Sequence, residues 1–394
     1  MFNSYRLLSF GADMGDPDIA TTRKRPLIDA AQQVSHLKDR GVRFELMDEW
    51  EAERFLRESN FFFKVKAFAK CFSRYTNPGS ERYGSYINLD FAHLAELTKL
   101  DHHLRETVLS LTLDIEHYMK VELNRAIMDA GDDPYDLMAS FFDFERERKV
   151  GLLEKRVDLD SIRSKAPTVM DLSGDLTSLD ARTVISTLAS LLHLASDSLD
   201  GLDPDHTERS LAGLGGSLYT RGLVEKYGDP GHMAVWTYLE LASFGGVISL
   251  YKYCLFERYA MRDGEAVKGL LFPTKALRNA AAHNGNMLST LGSKLGKPVG
   301  SISRMAVEEL GVDRELASLT KRAPIVHDFT ALALCFMHLV ESEGAREDAA
   351  ERLRALCGRF AVHGDYFSKQ VELRNGLAML SEVMDKAAGL LSRP

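Results

Sequence analysis

The chain has 394 residues and a formal net charge of −8, from 49 Lys and Arg against 57 Asp and Glu. That balance excludes a generalised nucleic-acid coat, which needs the opposite sign, but not a local basic groove. Hydrophobic residues at 45%, charged residues at 27% and only 11 prolines describe a globular, helix-rich protein able to bury its own core.

Residues 1–25 read as an irregular leader that closes on Arg23-Lys-Arg-Pro26. No basic region followed by a sustained apolar core opens it, so no signal peptide is expected. The longest apolar runs, such as 331–337, are too short for a bilayer, and a cytoplasmic protein with no membrane partner is expected. Helical spacing then sets Leu27, Ala30, Ala31, Val34 and Leu37 on one face, with Gly41 as the stop. A second segment, about 49–59, turns Ala52, Phe55 and Leu56 inward, and Asn60 to Phe68 is expected to continue it. Thr76-Asn-Pro-Gly-Ser80 breaks the chain.

The strongest helix runs from about 90 to 128, where Leu100, Leu104, Val108, Leu111, Ile115, Met119 and Leu123 recur at three- and four-residue steps. Asp101 with Arg105, and Glu116 with Lys120, are four apart and read as structural ion pairs. Gly131-Asp-Asp-Pro134 is a turn, about 146–165 an exposed helix and connector, and about 183–195 a further helix before a turn-rich stretch. An apolar helix over 236–259 is expected to be interrupted at Phe244-Gly-Gly246, and another helix covers 272–288. A loop over 292–301 leads to about four helices between 303 and 391. No stretch alternates with period two, so the fold class is all-α. The expected organisation is a helical domain over 26–290, with 300–394 as a C-terminal helical extension packed on it.

The four cysteines are far apart in sequence; Cys71, Cys254 and Cys335 lie in apolar stretches and read as buried free thiols. They offer no zinc spacing, and the adjacent His102 and His103 point about 100° apart on a helix, so no metal and no cofactor is expected. Asp132, Asp133 and Asp136 lack the Gly and Glu of a calcium loop. The stretch Leu211-Ala-Gly-Leu-Gly-Gly216 has no Lys-Ser/Thr behind it and is no phosphate loop.

Leu277-Arg-Asn-Ala-Ala-Ala-His-Asn284 carries chemistry. Asn279 and His283, four apart, share a helix face. Arg278 lies about 140° round from His283, and either its long side chain reaches back over the alanines or a second copy of the helix completes the site. Such a trio suits RNA cleavage without metal. An imidazole can take the 2′-hydroxyl proton or return one to the leaving oxygen. A guanidinium can neutralise the phosphorane, and Asn279 could fix the imidazole tautomer or hold the phosphate. Arg-x-x-x-x-His alone is weak, since roughly one chance match is expected in such a chain. Arg322-Ala-Pro-Ile-Val-His327 repeats the spacing without the Asn. Lys64, Lys66, Lys70 and Arg74, among Phe61, Phe62, Phe63, Phe68 and Phe72, form a second candidate RNA-binding set, with Asn284 beside His283; the plainer reading makes the phenylalanines core and the lysines solvated.

Several segments together resemble the Abi-type (AbiD/AbiF-like) abortive-infection proteins, a branch of the HEPN ribonuclease superfamily. They are Arg25-Pro-Leu27 with Val34, Leu37 and Gly41; Ala52, Phe55-Leu56, Asn60-Phe-Phe62, Lys64 and Phe68; Leu100-Asp-His-His-Leu-Arg105 with Ile115-Glu116 and Lys120; Val235-Trp236, Glu240, Ser243-Phe-Gly245 and Tyr251; and Arg278-Asn279 with Ala282-His283. Order and spacing agree over about residues 24–290. The resemblance implies a HEPN-like helical bundle with additional N-terminal and C-terminal helices, ribonuclease activity in phage defence, and in some members a small non-coding RNA as partner. Asn284, Asn286 and Ala281 depart from the second His, the basic residue and the Cys that the family often carries.

Two functional expectations follow. One is a metal-independent endoribonuclease with Arg278, Asn279 and His283 as catalytic residues, RNA as substrate, and a homodimer in which two such helices face one another. The other is a non-catalytic HEPN scaffold that binds a structured non-coding RNA or a partner protein.

Overall fold

The computed structural model describes residues 27–60, 62–156, 218–228, 232–261 and 265–393. The expected leader, the helix near 183–195, the turn-rich stretch after it and the glycine-rich 211–216 lie outside those residues. The described residues form 14 α-helices and no strand; two isolated bridges, Arg43 to Asp90 and Arg74 to Tyr86, are the only β pairings among them. The all-α expectation is met.

The helices begin where the sequence supplies caps. Helices α1 (Ala30–Asp39) and α2 (Glu49–Glu58) each start with a capping box, Asp29 with Gln32 and Asp48 with Glu51. Asp90 opens α4 (Phe91–Ala130) by accepting the Ala92 N–H at 2.9 Å, while its other oxygen takes the N–H groups of Glu45 and Leu46. Every predicted apolar position of α4 from Leu100 to Leu123 is buried. Gly131, at φ +68°, makes the turn into α5 (Pro134–Arg156).

Four local expectations need correction. The helix expected over 272–288 runs from Glu265 to Ala282, because Asn284, at φ +55°, ends it. Leu27 and Ala31 are exposed, because α1 starts at Ala30 and buries only Val34 and Leu37. The second helix does not continue through Asn60: it ends at Glu58, and α3 (Phe62–Phe68) is a new helix. The break in the 236–259 segment falls before the glycines. Helix α7 (Val235–Leu241) follows α6 (Arg221–Tyr227) and stops at an extended Ala242; Ser243 then caps α8 (Phe244–Lys252) through the Gly246 N–H. Capping by Ser243 outweighs the helix-breaking tendency of Gly245 and Gly246.

The remaining helices are α9 (Glu265–Ala282), α10 (Gly300–Glu308), α11 (Arg314–Ala317), α12 (Pro324–Leu339), α13 (Glu343–Ala361) and α14 (Val371–Leu391). The described chain falls into two compact units. One takes residues 120–259. Its aromatic core sets Phe141 at 5.6 Å from Tyr238 and 5.5 Å from Tyr253, and Arg258 and Tyr259 both donate to Asp132. The other takes the described residues up to 119 together with those from 260 onward, so α9 and all the C-terminal helices belong to it. Helix α12 is its axis. From Ile325 to Phe336 every side chain is buried, and α9 and α14 pack against it.

No helix among the described residues is long and apolar enough to cross a membrane. Cys254 and Cys335 are buried free thiols, pushed up to about 12 by desolvation. Cys71 and Cys357 are only partly buried.

Candidate functional site

The end of α9 is built by its own sequence. Asn284 adopts φ +55°, a left-handed conformation that Asn tolerates better than most residues. The reversal lets the Asn284 N–H reach the Ala281 carbonyl at 3.1 Å and the Gly285 N–H reach the Ala280 carbonyl at 2.7 Å. These paired bonds satisfy carbonyls that a helix end otherwise leaves open. His283 is therefore the last residue before the chain turns away, and it is exposed. Arg278 and Asn279 are half-exposed on the final turn. Of the three alanines, Ala281 is buried in the core and Ala282 faces outward. No hydrogen bond joins the Asn279 amide to the imidazole of His283. Among the described residues no partner engages either ring nitrogen of His283.

Beneath this end lies a polar brace. Lys64 of α3 is 4% exposed, and its ammonium donates to the Asn284 side-chain carbonyl at 2.6 Å, a contact between residues 220 apart in sequence. Burial holds the Lys64 pKa below its ordinary value; Arg105 adds to that and Asp101 opposes it. Asp101 of α4 is fully buried, accepts the Leu288 N–H at 2.8 Å and pairs with Arg105. Burial raises the Asp101 carboxyl, against the pull of the Leu288 N–H and of Arg105. Arg105 also reaches the Gly285 carbonyl at 3.4 Å. The Asp101–Arg105 pair expected from spacing is present, and it also fastens the chain that leaves α9.

Alongside runs a groove of about 940 Å³ between α2, α3, α4 and the Asn284 corner. Arg54, Lys64, Lys99 and Arg105 line it, with His102 and His103, against two carboxylates, Glu51 and Glu58. In a chain of net charge −8 this is a local excess of cations.

The four basic residues that the sequence grouped together part company. Lys64 alone lines the groove, and it is buried rather than solvated. Lys66 is half-exposed with its ammonium 5.7 Å from the Phe62 ring, and Lys70 is exposed. Arg74 stacks on Tyr86 at 4.6 Å and donates to its hydroxyl at 2.7 Å. Phe62, Phe68 and Phe72 are buried, whereas Phe63 is exposed. Sequence reasoning missed Arg54 and Lys99, since nothing local ties either to residue 284. His102 and His103, which the sequence offers only as a poor metal pair, are exposed on the surface, each 3.4 Å from Glu106, and both line the groove. Among the described residues no cluster of three His, Cys, Asp or Glu side chains could hold a metal.

An all-helical protein, then, presents an Arg-Asn…His helix end beside a cation-lined groove, with a long acidic and apolar helix bracing both. The family comparison fits that class: the model of the Abi-like protein family matches residues 54–289, well over half of the chain, from α2 to just past His283. The chain belongs to the Abi-like family, and it is an Abi-type abortive-infection protein with a role in phage defence. No curated protein and no solved structure matches it.

Proposed function

We propose that the protein is a metal-independent endoribonuclease of the HEPN type, with His283 and Arg278 as its catalytic residues. The carrying observation is the corner at Asn284, which leaves the His283 imidazole exposed and, among the described residues, without a partner, next to a groove rich in cations. In this reading His283 takes the proton from a ribose 2′-hydroxyl as that oxygen attacks its own phosphate. Arg278 offsets the charge that gathers on the phosphorane. The Asn279 amide, unattached to His283, holds a phosphate oxygen. The products are a 2′,3′-cyclic phosphate and a 5′-hydroxyl.

A proton must also return to the leaving 5′-oxygen, and a second His283 supplies it if two α9 ends meet about a two-fold axis. Ala282 and the half-exposed Ala280 give such a pair room to approach. A second reading, a scaffold that binds a structured non-coding RNA or a partner protein without cutting, draws on Asn284, whose side chain is already engaged by Lys64.

End analysis of RNA incubated with purified protein separates the readings. Cyclic phosphate ends that vanish in His283→Ala support the nuclease, and a discrete uncut RNA that co-purifies with the protein supports the scaffold. Titrating wild type with excess His283→Ala tests the dimer. Activity per wild-type chain that falls as mixed dimers form supports a composite site that needs both imidazoles, and a monomer that cleaves RNA rules it out.

A further inference from the structure

We propose that the groove beside α9 is a binding site for single-stranded RNA, in which Lys64, Arg105, Lys99 and Arg54 take successive backbone phosphates next to the phosphodiester at which His283 acts as base. The proposal rests on the nuclease reading for that last clause only; the groove can bind RNA whether or not the protein cuts it.

Lys64 and Arg105 are both nearly buried, at 4% and 8% exposure, and Arg105 weighs against the Lys64 charge while one carboxylate, Asp101, pairs with Arg105 and favours it. Holding two cations close together in a shielded place costs free energy that an arriving anion would recover. The lowered Lys64 pKa is the mark of that cost. Lys64 already uses one N–H on Asn284 and keeps two for a ligand. Asn284 follows His283 directly in the chain, so a phosphate held at Lys64 is anchored one residue from the proposed base. Lys99 and Arg54 are exposed and extend the positive wall outward along α4 and α2.

The chemistry of the other walls favours a single strand over a duplex. A volume of about 940 Å³ sits near the top of the range of ordinary ligand sites, about 300–1,000 Å³, and holds a short strand rather than a helix two strands wide. The rings of His102 and His103, 5.5 Å apart and exposed, offer faces on which unpaired bases can stack. An acidic peptide could satisfy the cations but gains nothing from the stacking faces.

The test uses the full-length protein and a fluorescent single-stranded RNA made uncleavable by 2′-O-methylation. Affinity is measured from low to moderate salt for wild type, for Arg54→Ala/Lys99→Ala, and for Lys386→Ala, an exposed lysine on α14 away from the groove. Each phosphate contact on a single strand contributes a slope of about −0.7 in log affinity against log salt. The double variant should bind roughly tenfold more weakly at about 0.15 M salt, with a slope flatter by about 1.4. Lys386→Ala should match wild type. Thermal melting checks that the exposed substitutions leave the fold intact. Failure of the wild type to bind overturns the proposal, as does a double variant that binds like wild type. Displacement by polyglutamate or duplex RNA as effective as by unlabelled single strand also overturns it. Cleavage of ordinary RNA is read separately: binding without cleavage upholds the groove and defeats the nuclease, whereas cleavage with an unchanged KM in the double variant defeats the groove alone.

Discussion

The chain carries the Arg-x-x-x-x-His spacing twice within one compact unit, and the two copies end differently. In the first, His283 closes a helix. The left-handed Asn284 turns the backbone away, and the imidazole is left in solvent with no protein partner among the described residues. In the second, His327 lies in the first turn of α12 and is 3% exposed. Its Nε2 accepts the Val299 N–H at 3.0 Å, so Nδ1 carries the proton and donates to Asp328 at 2.7 Å. Both ring nitrogens are spent on structure. A spacing shared by two histidines therefore says nothing of their roles; what distinguishes them is whether the ring still has hydrogen-bonding capacity that water or a ligand can reach.

That contrast can be broken by mutation, and the largest effect is expected at His283. Its replacement by Ala should lower RNA cleavage by about 10²–10⁴-fold, the usual worth of a positioned acid or base, and leave the melting temperature unchanged. A folded variant that still cuts at the wild-type rate would remove His283 from the mechanism. Asp101→Ala comes next. It strips the Leu288 N–H of its acceptor and leaves Arg105 buried beside Lys64, so denaturant titration should report a loss of about 3–5 kcal/mol. His327→Ala should reverse the pattern of His283→Ala. Stability should fall by about 1–3 kcal/mol as the Val299 N–H and Asp328 lose their partner, with cleavage preserved well below the melting point. At Asn284 both Ala and Gly remove the acceptor of the buried Lys64 ammonium, at about 1–3 kcal/mol, and the difference between them isolates the backbone: Ala should be about 1 kcal/mol less stable than Gly through its left-handed strain, as calorimetry can show.

The smallest expected effect is one of pH, at Lys64. Its pKa in the folded protein lies below the ordinary 10.5. Below that lowered pKa both states are charged and the burial cost is paid in full. Between it and 10.5 the unfolded chain holds a proton that the native state has released, so stability rises with pH. Comparison of wild type with Lys64→Met should show wild type gaining relative stability on the alkaline side only. A gap independent of pH would mean that the ammonium is not penalised by its surroundings.

Much of the helical architecture was readable because helix formation is local. The three- and four-residue rhythm from Leu100 to Leu123 outlined α4 within a few residues, and Gly131 marked its end. Where local signals compete, the reading slipped: Ser243, not Gly245-Gly246, breaks the α7–α8 segment, and residues 59–60 separate α2 from α3 with no Gly or Pro to announce it. Arg278, Asn279 and His283 were legible as one helical stretch. The brace under them was not, since Lys64 meets Asn284 across 220 residues and Asp101 meets Leu288 across 187. Nothing in a window of sequence distinguishes a lysine that will be buried against a distant asparagine from one that will stay in water. For that reason Lys64, Lys66, Lys70 and Arg74 were grouped as one patch, although only Lys64 lines the groove.

The corner at Asn284-Gly285 also bears on how long a molecule keeps its chemistry. An asparagine followed by glycine is prone to lose ammonia when the glycine nitrogen attacks the side-chain carbonyl carbon and closes a five-membered imide. Here the Gly285 nitrogen is committed to the Ala280 carbonyl at 2.7 Å, and the Asn284 oxygen is fastened to Lys64 at 2.6 Å. Closing the ring would require the Gly285 N–H to leave the Ala280 carbonyl and the side chain, held in place by Lys64, to swing onto that nitrogen. The folded corner thus acts as a shelter against ageing at the residue next to His283, and slow accumulation of aspartate or isoaspartate at position 284 would record how often that corner comes undone.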